Sequence, residues 1–261
     1  MDASELYDPE FRKLINSRNP ISKNKYGPTV IIPVGSLEQH GAHLPITTDS
    51  DIITEIASRL AKECGFIVFP TISYGVSFEH EPLFNTSVVS KKFRDYLLEI
   101  IQSLNEHNIF SVIILNGHHG NIQTIEKVQS VIDNPNLKQM QARKFLRDIV
   151  PSGFLLGRLN LHSYSYWKFM KREFDHAGFV ETSIMLAISD KVKMKKAKKG
   201  LIIEKLSKLE QSAVHKLSTQ PGKFPKVAKN GVWGDPTSAT KKDGEKFLAE
   251  IVRNLAKECQ S

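Results

Sequence analysis

The chain has 261 residues, of which 40% are hydrophobic, enough for a large core and close to the upper size of one α/β domain. No apolar run approaches the roughly 18 residues that span a bilayer, and the N-terminal residues lack the pattern of a signal peptide. The two cysteines are too few for a disulfide framework or a thiolate metal site. We therefore expect a single domain over residues 1–261, located in the cytoplasm and without a membrane partner.

The formal net charge of +8 permits a different class of function, a non-catalytic protein that binds phosphate or nucleic acid. Much of the excess lies in residues 191–199, where six lysines occur with no aromatic residue between them. Proteins that bind single strands usually add aromatic side chains that stack on the bases. We therefore predict that this run is a solvated connector and that nucleic acid is not a partner.

The first predicted element is a buried strand at residues 29–34, a β-branched run that follows Pro28. A helix is predicted next, because apolar residues recur at helical spacing from Ile52 onward. Its N-cap is expected among the polar residues just before this stripe, Asp49, Ser50 or Asp51.

The same alternation continues along the chain. The next predicted elements are a strand at 67–69, a helix at about 92–105, a strand that ends at Leu115, and a helix that starts near Ile122. Alternating strands and helices indicate a parallel sheet covered on both faces. The last predicted element is an amphipathic helix near the end of the chain.

Metal-ligand side chains follow the first strand in the stretch PVGSLEQHGAHLPITTDSD, residues 33–51. Glu38 and His40 are two residues apart, so they can point the same way if the extended backbone continues. Asp49 comes after the turn, and its two carboxylate oxygens could bridge a pair of metals. Ligands of parallel sheets bind at this end of the strands.

Two later motifs offer further candidates at the same end of the sheet. His118 lies in NGHHGN after an apolar strand, and Glu181 lies early in the helix that follows DHAGF. Each motif alone has an ordinary interpretation: a polar loop, a tight glycine turn, or a first-turn glutamate stabilised by the helix dipole. Their combination favours a dinuclear metal site in which Glu181 is the additional carboxylate.

Four motifs together, PVGSLEQHGAHLPITTDSD, NGHHGN, HAGFVETS and GVWGDPTSAT, resemble the creatininase family of metal-dependent amidohydrolases. The resemblance covers about residues 27 to 256. It implies a three-layer α/β/α fold with a mostly parallel central sheet, two divalent metal ions per subunit, and a homo-oligomer, possibly a hexamer. By motif position, Glu38, His40, Asp49 and His118 fall where the family has its metal ligands, with Asp49 as the bridge.

The sequence also departs from the family pattern. Members that act on creatinine have NGHYEN, with a glutamate ligand where this chain has Gly120. The turn is closer to that of branches that include a formamidopyrimidine deformylase of flavin and deazaflavin biosynthesis and a peptidase of mycofactocin maturation. His119, Glu79 and His80 are candidate substrate contacts, although a solvated loop is an equal alternative for the last two.

The implied reaction is hydrolysis of a non-peptide C–N bond in a small cyclic amide or formamide. Divalent ions lower the pKa of bound water and polarise the attacked carbonyl. Release of the amine requires a proton, and His176 is the candidate donor, oriented by Asp175. The mixed imidazole and carboxylate ligands suit zinc, manganese or iron.

Overall fold

A four-stranded parallel sheet lies at the centre of the computed structural model, which describes residues 1–16, 27–133, 159–203 and 206–260. The strands in chain order are β1 (Thr29–Val34), β2 (Leu37–Glu38), β3 (Ile67–Val68), β4 (Asn85–Thr86), β5 (Ser111–Asn116) and β6 (Asn160–Ser165). The central sheet has the order β3-β1-β5-β6, and every neighbouring pair in it is parallel. β2 and β4 form a separate antiparallel pair.

Helices cover both faces of this sheet. The helices of the described residues, in chain order, are α1 (Asp8–Asn16), α2 (Thr48–Cys64), α3 (Ser90–Glu106), α4 (Ile122–Asp133), α5 (Phe179–Ile188), α6 (Lys208–Ser218), the short α7 (Phe224–Val227) and α8 (Lys241–Gln260). No helix among the described residues is both long and apolar enough to cross a membrane.

Alternate strand residues supply two separate apolar cores. Val30 and Ile32 of β1 pack with α3 and α4 on one face, whereas Ile31 packs with α2, α5 and α8 on the other. This division follows from the two-residue period of a strand, which sends successive side chains to opposite faces. The predicted three-layer α/β/α fold with a mostly parallel sheet is confirmed.

Most predicted elements are present, but the expected N-cap of α2 is wrong. Thr47 is the N-cap and makes no side-chain capping bond, while Asp49 lies inside the first turn. The elements that were not predicted include α1, β4, β6, α6 and α7. The strand β6 has the sequence NLHSYS, which lacks the apolar run that identified its neighbours.

The antiparallel pair β2–β4 continues from the carboxyl end of the sheet. β1 ends at Val34, and after two residues the chain enters β2, where Glu38 pairs with Asn85. Glu38 is fully buried there. This short pair therefore fixes the first candidate ligand directly above the sheet.

Candidate metal centre

Five candidate ligands come together at the carboxyl end of the sheet, each at most 3% exposed. They come from separate segments of the chain: Glu38 in β2, His40 just after it, Asp49 in the first turn of α2, His118 after β5, and Glu181 in the first turn of α5. The fold thus brings three carboxylates and two imidazoles to one place.

These residues form two overlapping donor groups. Glu38, Asp49 and His118 make one group, and His40, Asp49 and Glu181 make the other, with the ligand atoms of each group within 4.8 Å of one another. Asp49 belongs to both. Its Oδ1 is 3.1 Å from His40 Nε2, and its Oδ2 is 2.9 Å from His118 Nδ1. One carboxylate therefore faces both groups, as a ligand shared by two ions would.

Two carboxylate oxygens of the site have no adequate hydrogen bond. Glu38 Oε1 and Asp49 Oδ2 are buried, and although imidazole nitrogens lie 3.0 and 2.9 Å away, neither oxygen receives a well-directed hydrogen bond. Buried carboxylates left in this condition are costly unless a cation compensates them. The residues present therefore fit divalent metal ions.

The remaining oxygen of Glu38 is held by protein donors. Oε2 accepts from the hydroxyl of Ser36 at 3.1 Å and also from the hydroxyl of Ser77. His118 is fixed in a similar way, because its Nε2 lies 2.8 Å from the carbonyl oxygen of Val76. Such outer contacts orient metal-binding side chains before an ion arrives.

The charges of the two donor groups are strongly coupled. Burial alone would raise the pKa of Glu38, but the imidazoles of His118 and His80 outweigh it and hold that pKa well below its usual range. Burial opposes protonation of His40, yet Asp49 and then Glu181 raise its pKa to about 10. Burial raises the pKa of Glu181 to about 8. Without a metal ion, bound protons balance part of the negative charge.

His176 lies at the site, but its expected partner does not orient it. The ring Nδ1 of His176 is 3.8 Å from Glu38 Oε1, and Nε2 is 3.1 Å from the backbone oxygen of Gln39. Asp175 instead accepts from the backbone N–H groups of Val180 at 2.8 Å and Glu181 at 3.3 Å. The predicted role of Asp175 as the orienting group of His176 is therefore wrong: its carboxylate satisfies the N-terminus of α5.

Burial lowers the pKa of His176 well below its ordinary value, and repulsion from His40 and His80 adds to the effect. The ring is therefore neutral at pH 7 in the metal-free protein. A neutral imidazole next to the donor groups can accept a proton and later release it.

Glu79 and His80 are buried at the site, so the alternative of a solvated loop is wrong for both. His80 Nε2 lies 3.0 Å from Glu38 Oε1, and Glu79 Oε1 lies 3.4 Å from His118 Nε2. Gly120 explains how Glu79 fits. A Cβ at position 120 would lie 2.5 Å from Glu79 Oε1, so the missing side chain provides the space for this carboxylate.

A cavity of about 790 Å³ opens above the donor groups. His119 lines it and stacks with Trp167 and Phe174 at ring-centroid distances of 6.0 and 6.3 Å. Phe224 lies on the other side, 4.5 Å from His80 and 4.9 Å from His176. Trp167, Phe174 and Phe224 have no side-chain groups that bind metal ions, and nothing in the sequence distinguished them from core residues.

Comparisons with known proteins found similarity to one family over most of the chain. The family model Creatininase, described as creatinine amidohydrolase, matches residues 17–259. The chain is 30% identical over 237 residues to a mycofactocin precursor peptide peptidase from Mycobacterium ulcerans, a match that covers 86% of this chain and 82% of that protein.

Two further similarities extend the comparison. The chain is 35% identical over 128 residues to a 2-amino-5-formylamino-6-ribosylaminopyrimidin-4(3H)-one 5'-monophosphate deformylase from Methanosphaera stadtmanae, covering 47% of this chain and 53% of that protein. A solved structure described as "Creatininase Mn" superposes with a TM-score of 0.74 at 22% identity, covering 98% of this chain and 96% of that one. This last similarity supports the fold.

Proposed function

Because the chain belongs to the creatininase family of metal-dependent amidohydrolases, we propose that it uses two divalent metal ions to hydrolyse a C–N bond of an amide. The proposed ligands are Glu38, Asp49 and His118 for one ion and His40, Asp49 and Glu181 for the other. The observation that carries the proposal is Asp49, whose two oxygens face the two donor groups.

The protein residues supply binding, orientation and proton transfer. When bound, the divalent ions activate water and polarise the carbonyl group of the amide. We assign to His176 the transfer of a proton from the attacking water to the departing nitrogen; its ring Nδ1, 3.8 Å from the proposed ligand Glu38, supports this role. Phe224 packs against the rings of His176 and His80 and keeps bulk water away from them.

The proposed substrate is a non-peptide cyclic amide or formamide that is larger than creatinine. Gly120 stands where the resemblance gives creatinine-hydrolysing members a glutamate ligand, and Glu79 now occupies the adjacent space. The cavity of about 790 Å³ is much larger than so small a molecule needs. A formamide that carries a bulky planar group would use more of it, including the stacked rings of His119, Trp167 and Phe174.

A second candidate is hydrolysis of a peptide bond in a short peptide. It is favoured by the similarity to the mycofactocin precursor peptide peptidase, which extends over 86% of this chain. The open cavity with both polar and apolar walls is also compatible with two or three peptide residues. Both candidates use the same metal chemistry and differ only in the group that carries the scissile amide.

The test is an activity screen of the protein reconstituted separately with zinc and with manganese. The panel contains creatinine, larger cyclic amides, aryl formamides and short peptides, and product amine is measured. We expect turnover of a formamide or larger cyclic amide, little or none of creatinine, and none by the Asp49→Ala variant. Turnover of peptides alone would select the second candidate, and activity that survives both chelation and Asp49→Ala would contradict the proposal.

A further inference from the structure

The side-chain amide of Gln39 lies between two histidines of the site. Its Nε2 is 3.0 Å from His80 Nδ1, 3.1 Å from His176 Nε2 and 3.2 Å from the backbone oxygen of Gly231. Its Oε1 accepts from the backbone N–H of Gly41 at 3.0 Å. Because that N–H can only donate, the contact establishes which end of the amide is the oxygen.

The number of hydrogens limits the possible arrangements. An amide nitrogen has two hydrogens, so Gln39 cannot donate to all three of its neighbours. His176 Nε2 also lies 3.1 Å from the backbone oxygen of Gln39, which can only accept. That contact is satisfied when His176 carries its proton on Nε2. The two amide hydrogens then go to His80 Nδ1 and to the backbone oxygen of Gly231.

We propose that Gln39 is a positioning residue that fixes the tautomers of two histidines, that of His80 through its side-chain amide and that of His176 through its backbone oxygen. His80 accepts at Nδ1 and therefore carries its proton on Nε2, which lies 3.0 Å from Glu38 Oε1 without forming a well-directed hydrogen bond to it. His176 carries its proton on Nε2 and leaves Nδ1, the ring nitrogen 3.8 Å from Glu38 Oε1, as the proton-accepting atom. This deepens the proposed function, on which the catalytic role of Nδ1 rests, whereas the tautomers themselves do not depend on any activity.

The loop around Gly231 holds this arrangement in place. Gly231 is buried at a φ of 72°, and a Cβ added there would collide with the side-chain amide of Gln39. Two residues later, the N–H of Trp233 donates to His176 O at 2.8 Å, and Trp233 O accepts from the N–H of His176 at 3.1 Å. One loop therefore fixes both the Gln39 amide and the His176 backbone. This gives the GVWGD part of the fourth motif a physical role.

The tautomers can be read directly by NMR. The protein is labelled with ¹⁵N-histidine and loaded with zinc, which is diamagnetic, and long-range ¹H–¹⁵N correlation spectra are recorded at pH 8. The signals of the two rings are assigned by their loss in His80→Gln and His176→Gln. We expect the Nε2–H tautomer for both rings. An Nδ1–H tautomer of either ring in the unsubstituted protein would overturn the proposal.

Two substitutions of Gln39 test its causal role. Gln39→Glu keeps the shape but removes the donor, so we expect the His80 proton to move to Nδ1, where a carboxylate can accept it. Gln39→Leu removes both polar atoms, so we expect His80 to populate both tautomers. The matched control is Gln129→Leu in α4, whose amide donates to the backbone oxygen of Leu161 at 2.9 Å; it should change neither ring.

The outcomes separate this inference from the proposed function. An unchanged His80 tautomer in both Gln39 variants, with zinc content retained, would show that the Gln39 side chain does not set it, whereas His176 should keep its tautomer because the backbone oxygen of Gln39 remains. A shift of the His80 proton in Gln39→Glu supports the inference even if no amide is ever found to be hydrolysed. Melting temperatures recorded beside the spectra identify any variant whose spectrum changes because the protein has unfolded.

Discussion

Asp49 is both a residue of the first turn of a helix and a candidate metal ligand. It lies in the first turn of α2, where the helix dipole favours a negative charge, and its side chain turns into the site instead of capping the helix. Thr47 precedes the helix without a capping bond. The N-terminus of α2 therefore lacks the stabilisation of a side-chain cap, while the carboxylate of Asp49 is held between the two donor groups.

Metal stoichiometry should therefore respond differently to two single substitutions. Asp49→Ala removes a ligand of both proposed ions, so we expect less than one zinc per chain after reconstitution. His118→Ala removes a ligand of only one group, so we expect about one zinc to remain. Elemental analysis of the dialysed proteins measures both values.

Asp51→Ala is the matched control for this experiment. Asp51 lies in the same helical turn but accepts from the hydroxyl of Thr47 at 2.9 Å, away from the donor groups. It should retain the metal content of the unsubstituted protein. Equal zinc content in Asp49→Ala and Asp51→Ala would rule out a bridging Asp49.

A second prediction separates His176 from its neighbour in the sequence. His176→Gln should lower kcat by roughly 10²–10⁴-fold on an unactivated amide, the range for loss of general acid–base catalysis, with metal content unchanged. Asp175→Asn should have a much smaller effect on kcat, because Asp175 bonds to the backbone of α5 and not to His176. Equal losses of kcat in the two variants would restore Asp175 as a partner of His176, and loss of metal in His176→Gln would make that histidine a ligand.

The site illustrates which residues a sequence can identify. Glu38, His40 and Asp49 were candidates because carboxylates and imidazoles have few reasons to cluster after a buried strand. Gln39 was not a candidate, because a glutamine between two metal-ligand residues does not by itself indicate a function. The predicted role of Asp175 was wrong because the side chains of adjacent residues can point in different directions. Asp175 lies just before α5, and its carboxylate accepts a hydrogen bond from a backbone N–H group in the first turn of that helix.

At the scale of elements, the crossing of α5 and α8 supports the ligand Glu181. The buried apolar residues of α5 on either side of Glu181 pack with those of α8 in one core. At the crossing, a Cβ on Gly244 of α8 would collide with the backbone oxygen of Ser183. The helices can approach this closely only because position 244 has no side chain.

Gly244→Ala should therefore destabilise the protein, although alanine is the better helix former by about 1 kcal/mol. The collision is with backbone atoms, which cannot move aside without shifting α5, so we expect a net loss of about 1–3 kcal/mol in the free energy of unfolding. Denaturant titration measures it. Lys242→Ala, on the exposed part of the same helix, is the control and should be nearly neutral. A stabilised Gly244→Ala would show that helix propensity outweighs the close approach.

The strand β6 was missed for a physical reason. β1 and β5 are buried along their whole length and read as apolar runs, whereas β6 is the last strand of the described sheet and only two of its six residues are buried. The strand β6, with the sequence NLHSYS, is positioned by its pairing with β5, a long-range contact that no local sequence pattern predicts. The parallel arrangement of the sheet was predictable from the alternation of strands and helices, but β6 was not.

At the scale of the molecule, the net charge of +8 is dominated by exposed lysines. All six lysines of residues 191–199 are exposed, as expected for a solvated connector. The ion pair of Lys199 with Asp235, at 3.3 Å, is also exposed and contributes little to stability. These side chains form no groove with aromatic partners among the described residues.

Replacing the six lysines by glutamine should leave metal content and amide hydrolysis unchanged. We expect any binding of the unsubstituted protein to single-stranded DNA or RNA to be weak and to vanish at physiological salt, because scattered surface cations act only through counterion release. Fluorescence anisotropy over a salt series measures this. Tight binding that persists at physiological salt and is lost in the substituted protein would favour the nucleic-acid interpretation.

Metal binding should stabilise the whole molecule, and more so at higher pH. The ions would join β2, α2, α5 and the turn after β5, so an ion bound only by the folded chain adds about 2.7 kcal/mol at a hundredfold excess over its Kd. Protons compete for the same atoms. The carboxylates raise the pKa of His40 to about 10 against the opposing effect of burial, and burial raises that of Glu181 to about 8. Below these values both groups carry a proton that the metal must displace.

The linkage has a definite sign. Raising the pH from 6 to 8 lowers the concentration of protons that compete with the metal for these atoms, so zinc affinity and the zinc-dependent rise in melting temperature should both increase. Calorimetric titrations in buffers of different ionisation enthalpy should also show protons released on binding, and chelation should reverse the stabilisation. In His40→Gln the steepness of the pH dependence should fall, since one of the displaced protons is gone. A zinc-dependent shift that stays constant or declines over this pH range would mean that the ions bind elsewhere, because the donor groups described above cannot bind a cation without releasing these protons.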